Sequence, residues 1–205
     1  MSHDEARAYF EQELAKTDPD PGRAMDTIAA RMNLSPLEVL LAGVVPAAWE
    51  AGMLTWYWVF QGAIKPSDYA GTATLVKLFE RVGFVSDFPD VERPTTPLTI
   101  YRGTTEAVPR HARGISWTID IEVARRFSHC MDHWLEPEPA IKGLDFIVPD
   151  LKPTVWCAEI PPEGVLGLFY EQNELEVVVN PRRLRKLQIL EQSAPIWPPE
   201  EELSP

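Results

Sequence analysis

The chain has 205 residues, 45% of them hydrophobic, and its 31 acidic against 19 basic side chains give a formal charge of −12. That much apolar material can bury a sizeable core, in one domain with an extension or in two small domains. The charge disfavours unaided binding to nucleic acid, which relies on Lys and Arg against phosphate, no apolar run reaches the roughly 18 residues needed to span a bilayer, and the acidic start Met1–Glu5 lacks a signal peptide's basic and apolar regions, so a cytoplasmic location is expected.

The first ninety residues read as helices. Ser2 followed by Glu5 is a capping-box pattern, and Ala6, Tyr9, Phe10 and Leu14 recur after it at helical spacing, predicting a helix to about Lys16. The prolines of Asp18-Pro19-Asp20-Pro21-Gly22 cannot continue that helix and predict a loop. Met25, Ile28, Ala29 and Met32 then mark a second helix, and Ser35-Pro36-Leu37-Glu38 opens a third with a serine cap and proline in the first turn. This pair superficially resembles a helix-turn-helix. Its second member, Leu37-Glu38-Val39-Leu40-Leu41-Ala42, offers no side chains to read a groove, which favours a hairpin burying its apolar faces.

The aromatic run Trp56-Tyr57-Trp58-Val59-Phe60 reads as core or as a partner surface, core being favoured for large aromatics. A further helix is predicted over 68–82, with Gly83 as its C-terminal cap. A linker over 88–97 follows.

From Leu98 the texture becomes β-rich. Leu98–Tyr101 and Ile115–Thr118 read as strands, the second feeding a helix that Thr118 or Asp120 caps and whose inner face carries Val123, Ala124, Phe127, Cys130 and Met131. After an irregular stretch over 136–152, strands are predicted at 154–160, 165–169, 175–179 and 187–190. Residues 193–205 read as a flexible tail. The domain plan is thus a helical region over 1–90 and a β-rich domain over 98–192.

Cys130 and Cys157 lie far apart without zinc-site spacing and read as reduced core thiols. His129, Cys130 and His133 sit in a helical pattern that favours a structural or surface role, so no metal is expected. The basic run Arg182-Arg183-Leu184-Arg185-Lys186 reads either as a contact for a negatively charged partner or as solvated charge beside a strand.

Three segments of the second half carry the chemistry: Tyr101-Arg102-Gly103, Ser116-Trp117-Thr118 and Glu174-Leu175-Glu176. In this order, with a helix after Ser-x-Thr and Val177-Val178-Val179 after Glu-x-Glu, they resemble the Arg–Ser–Glu class of mono-ADP-ribosyltransferases over about residues 98–190. Each motif alone is weak, and their order and context make the set informative. The resemblance implies an α+β fold of the ADP-ribosyltransferase-like split β-sandwich type, with two facing sheets and an NAD cleft, preceded by the α-helical N-terminal region.

By that resemblance Arg102 would hold phosphate or ribose oxygens of NAD, a task suited to a forked, permanently charged guanidinium. Ser116 would bond near the nicotinamide ribose and orient the catalytic carboxylate, and Gly103 would let the backbone approach the nicotinamide amide. Glu176 would stabilise the oxocarbenium character that develops as the nicotinamide–ribose bond breaks. Glu174, two residues earlier on the same strand face, would engage the acceptor, as in arginine-modifying members. Thr118 and Trp117 would belong to the cofactor-binding set, the Trp117 ring either lining the pocket or packing in the core, with packing favoured. Phe169 and Tyr170 either stack on nicotinamide or the acceptor, or make core contacts at a strand end.

The expected activity is transfer of ADP-ribose from NAD to a protein side chain, arginine first, as a toxin-like or phage-type effector or a regulator. NAD hydrolysis in the same cleft and a non-catalytic binding module of the same fold are the alternatives.

Overall fold

The computed structural model of the chain describes residues 1–61, 71–105, 107, 109–129, 152–170 and 175–193, leaving aside the side chains of Phe60, Gln61 and His111. The chain is mixed α+β with a helical N-terminal region and both parallel and antiparallel strand pairs. It divides into two compact units, Met1–Glu92 with Leu166–Glu171, and Arg93–Val165 with Gln172–Pro205. The helical unit therefore also takes in most of one late strand.

In the first unit, α1 (His3–Leu14) opens on a full capping box: the Glu5 amide donates to Ser2 Oγ at 3.2 Å, and the Ser2 amide donates to Glu5 Oε2 at 2.6 Å. The second helix, α2 (Pro21–Met32), starts four residues before Met25, because Asp20 caps it and Pro21 is its first residue. Proline is tolerated there, where its missing N–H has no helical partner in any case. Asn33, left-handed at φ 54°, ends it. The short α3 (Pro36–Leu41) repeats the capping box with Ser35 and Glu38 and buries Leu37, Val39 and Leu40.

Within α4 (Ala47–Gln61), Tyr57 and Trp58 are buried while Trp56 and Val59 are half-buried, so the middle of the aromatic run is core. The Trp58 ring meets Phe79 edge-on at 5.1 Å and stacks with Phe169 at 6.1 Å. Phe79 lies on α5 (Thr72–Val82), which Gly83 terminates at φ 96°. This helix begins at Thr72, later than the expected residue 68, because Gly71 before it is non-helical at φ 69°; residues 68–70 lie outside the described residues. Sequence periodicity does not reveal β1 (Val85–Ser86), which is two residues long and pairs in parallel with β5 (Val165–Phe169) through Val85–Gly167 and Ser86–Leu168.

The second unit is built on β2 (Leu98–Thr104), β3 (Ser116–Thr118), β4 (Thr154–Ile160), β6 (Glu176–Val179) and β7 (Arg185–Gln192). Their order is β6-β3-β2-β4-β7, and every neighbouring pair is antiparallel. Between β2 and β3 lies α6 (Pro109–Ala112), a single turn. On β7 the register with β4 shifts twice, between Val155 and Trp156 and between Cys157 and Glu159, and Lys186 is left-handed at φ 51°.

Helix α7 (Ile121–His129) follows β3 directly. Thr118 Oγ1 accepts from the Asp120 amide at 3.0 Å, and Asp120 Oδ1 accepts from the Glu122 amide at 2.8 Å, so both expected caps act in series. The inner face differs from the expected one. Val123, Ala124 and Ser128 are buried, whereas Phe127 is 44% exposed. Gly103 explains the exchange: a Cβ there would stand 2.9 Å from the Phe127 carbonyl carbon and closer still to the Ala124 oxygen and the Ser128 nitrogen. With the helix backbone lying directly on the strand, a serine fits beneath it and a phenylalanine does not. Arg125 ties the outer side of α7 to β7, with Nε donating to Glu191 Oε2 at 2.9 Å and Nη2 to the other carboxylate oxygen.

Among the described residues no helix is long and apolar enough to cross a membrane. Cys157 is a half-buried free thiol, and burial pushes its pKa up. Cys130, Met131, His133 and the tail beyond Ser193 lie outside the described residues.

Candidate functional site

Three adjacent strands carry the three motifs. Tyr101 of β2 pairs with Thr118 of β3, and Thr118 pairs with Glu176 of β6, so these residues form one cross-strand row. Directly opposed residues of antiparallel strands project to the same face, and alternate residues along a strand share it. Ser116, which pairs with Val178, therefore lies on the Glu176 face as its diagonal neighbour, at a Cα separation of roughly 7–8 Å in a regular ladder. Arg102 is one position past the row, opposite Trp156 of β4, so its side chain starts toward the other face from Glu176, and its long stem brings the guanidinium to the Ser116 main chain.

The Arg102 guanidinium is drawn into the protein. Its Nη1 donates to the Ser116 main-chain oxygen, and its plane lies against Gly114. Burial pushes the Arg102 pKa down, and the Glu176 carboxylate pulls it back up. The starting value for arginine is so high that the group stays a cation. Arg102 and Glu176 are both half-buried, and the cation and the carboxylate attract each other across β3.

The remaining expected site residues divide into several places. Trp117 is 2% exposed, and its Nε1 donates to the Gly114 oxygen at 3.0 Å, so the ring is core, as its size favours. Thr118 is 5% exposed and holds the start of α7. Gly103 is the seat of α7, a packing role that sequence alone does not disclose. Phe169 and Tyr170 belong to the first unit. There Phe169 stacks in the core on Trp58, and the Tyr170 amide donates to both Asp87 carboxylate oxygens at 3.0 Å.

Glu174 lies outside the described residues, together with Gln172 and Asn173. The strand begins at Glu176, and Leu175 before it is left-handed at φ 46°, so period-two alternation cannot be extended back across that residue. Ladder bonding nevertheless reaches Leu175, whose oxygen accepts from the Ile119 amide at 3.4 Å.

Sequence reasoning passed over Gly114 and the α6 turn. A lone glycine before a short strand looks like any turn residue, and only the folded chain brings Gly114 beneath an arginine twelve positions earlier. In the basic run, Lys186 pairs with Glu159 at 2.8 Å and Arg185 approaches Glu163 at 3.9 Å. Those two charges have acidic neighbours within the unit. Among the described residues no group of three or more His, Cys, Asp or Glu side chains could hold a metal ion.

No family model matches the chain, no curated protein is significantly similar to it, and no solved structure matches its fold significantly.

Proposed function

We propose that the second unit is an NAD-dependent mono-ADP-ribosyltransferase that modifies a protein side chain, with arginine the first acceptor to test. The observation that carries this reading is the row of adjacent strands β6-β3-β2, on which Glu176 faces Thr118 and acts electrostatically on Arg102. It is joined by the resemblance of Tyr101-Arg102-Gly103, Ser116-Trp117-Thr118 and Glu174-Leu175-Glu176 to the Arg–Ser–Glu class. The ADP-ribosyltransferase-like split β-sandwich belongs to the same proposal.

In this reading Arg102 binds the NAD diphosphate, where a guanidinium gives charge-assisted, forked hydrogen bonds. The nicotinamide–ribose C–N bond breaks with its electron pair leaving on nicotinamide. Glu176 stabilises the positive charge that grows on the ribose, and that charge is greater in the transition state than in bound NAD, so the carboxylate lowers the barrier. The acceptor nitrogen then bonds to the ribose carbon and loses its proton.

The test is incubation of the purified chain with NAD labelled in the adenylate moiety, with and without cell lysate, following nicotinamide release and label on macromolecules. Release together with a discrete labelled protein band is the expected result. Release with free ADP-ribose as the sole labelled product would assign a glycohydrolase instead, and no release under either condition would end the enzymatic reading.

A further inference from the structure

The segment 114–116 has three consecutive carbonyls, and each is engaged by a different part of the second unit. The Gly114 oxygen accepts from the Trp117 ring nitrogen at 3.0 Å. The Ile115 oxygen accepts from the Val179 amide of β6 at 2.8 Å. The Ser116 oxygen accepts from Nη1 of Arg102 on β2. Upstream, the Arg113 amide donates to the Arg110 oxygen at 3.3 Å and closes the α6 turn that delivers the segment. Position 114 is thus held from both ends.

Gly114 is not required by backbone conformation, because its φ is not among the positive values of the described glycines. It is required by proximity. A Cβ there would lie 2.5 Å from both Cζ and Nη2 of Arg102 and 2.9 Å from Nη1, well inside the roughly 3.5 Å at which carbon and nitrogen atoms rest against each other. The guanidinium plane occupies the space that a side chain would take.

We infer that Gly114 is a positioning residue for Arg102: the bare Gly114 peptide, fixed by the Trp117 indole, is the floor that sets the guanidinium's place and tilt. The functional consequence rests on the NAD reading, in which Arg102 meets the diphosphate. A forked donor discriminates by direction as well as by charge, so a displaced guanidinium keeps its charge and loses its aim. Trp117 then acts on the substrate through Gly114. Core burial of its ring and positioning of the arginine are one arrangement.

Two experiments on the full chain test this. The first is a thermal-denaturation double-mutant cycle with Gly114→Ala and Arg102→Ala, a design that isolates the pairwise contribution of neighbours. Gly114→Ala is expected to lower Tm slightly in the native background, because the guanidinium end of the side chain shifts aside, and to have no effect in the Arg102→Ala background, where the clash is gone. Equal losses in both backgrounds would overturn the inference, whatever the chain does with NAD.

The second is steady-state nicotinamide release from NAD. Gly114→Ala is expected to raise KM by roughly ten- to a hundredfold, the range for losing a charged hydrogen bond, with a smaller change in kcat. Trp117→Phe, which keeps most of the ring and removes its donor, should shift KM the same way by less. An unchanged KM in Gly114→Ala would also overturn the inference. Absence of release by the native chain would instead remove the NAD reading, and the stability cycle would decide the role of Gly114 alone.

Discussion

The approach of α7 to β2 at Gly103 sets a sharp quantitative expectation. Gly103→Ala places a methyl group 2.9 Å from the Phe127 carbonyl carbon and nearer to the Ala124 oxygen and the Ser128 nitrogen. All three are main-chain atoms of one helix, so no rotamer change relieves the contact and the helix must move off the strand as a body. Movement would strip cover from Val123 and Ala124 and disturb the Arg125–Glu191 bridge. Overpacking of this kind costs about 1–3 kcal/mol, and backbone partners put the expected value at the upper end. For a chain of this size 1 kcal/mol corresponds to roughly 2–4 °C in Tm, so a drop of about 6–12 °C is expected by circular dichroism. Gly52→Ala is the matched control: nothing lies within 4 Å of its added Cβ, and the site is an exposed helical position. It should raise stability by about 0.4–1 kcal/mol through helix propensity and a less free unfolded chain. A Gly103→Ala protein as stable as the native chain would refute the packing argument.

Glu176→Gln keeps the shape of the side chain and removes its charge; nicotinamide release should fall by about 10²–10³-fold, the usual scale for losing a placed electrostatic group, with the melting curve retained. Ser35→Ala removes the cap of α3 and should cost about 0.5–2 kcal/mol, read as a lower urea midpoint at unchanged slope. The Arg125 guanidinium holds the Glu191 carboxyl below its ordinary range, so its stabilising contribution is present above the unfolded-state carboxylate pKa and is lost as pH falls through the depressed folded value. Glu191→Gln should therefore flatten the acid limb of the stability–pH profile, and an identical limb in both proteins would count against the bridge.

Much of the architecture was readable because local chemistry and tertiary packing agree. Ser2, Ser35 and Gly83 announce helix ends by hydrogen bonds or backbone angles that act within a few residues, and they lie where expected. The apolar runs over 154–160 and 165–169 are strands over those same residues, since both are almost fully buried. What escaped the sequence depends on partners far along the chain. Phe127 looks like an inward residue by spacing, but Gly103 brings α7 too close to admit it, and Ser128 takes the inner position. The order of the motif segments was legible, and so was their strand context. The register that pairs Thr118 with Glu176, and the bare peptide beneath Arg102, follow from how strands meet, which no local window records.

Strand β7 of the second unit bears on how the protein behaves in concentrated solution. Among the described residues β7 ends the strand order, and its centre exposes Ile189 and Leu190 at 42% and 44%. A straight edge of that composition would template addition of strands from other molecules and seed aggregates. The double register slip and the left-handed Lys186 break its straightness, and Arg185, Lys186 and Glu191 bracket the apolar centre with charge. Such irregularities and flanking charges act as gatekeepers. The distortion of β7 therefore has a consequence for colloidal behaviour: a bent, charge-flanked strand is a poor template for a strand of another molecule.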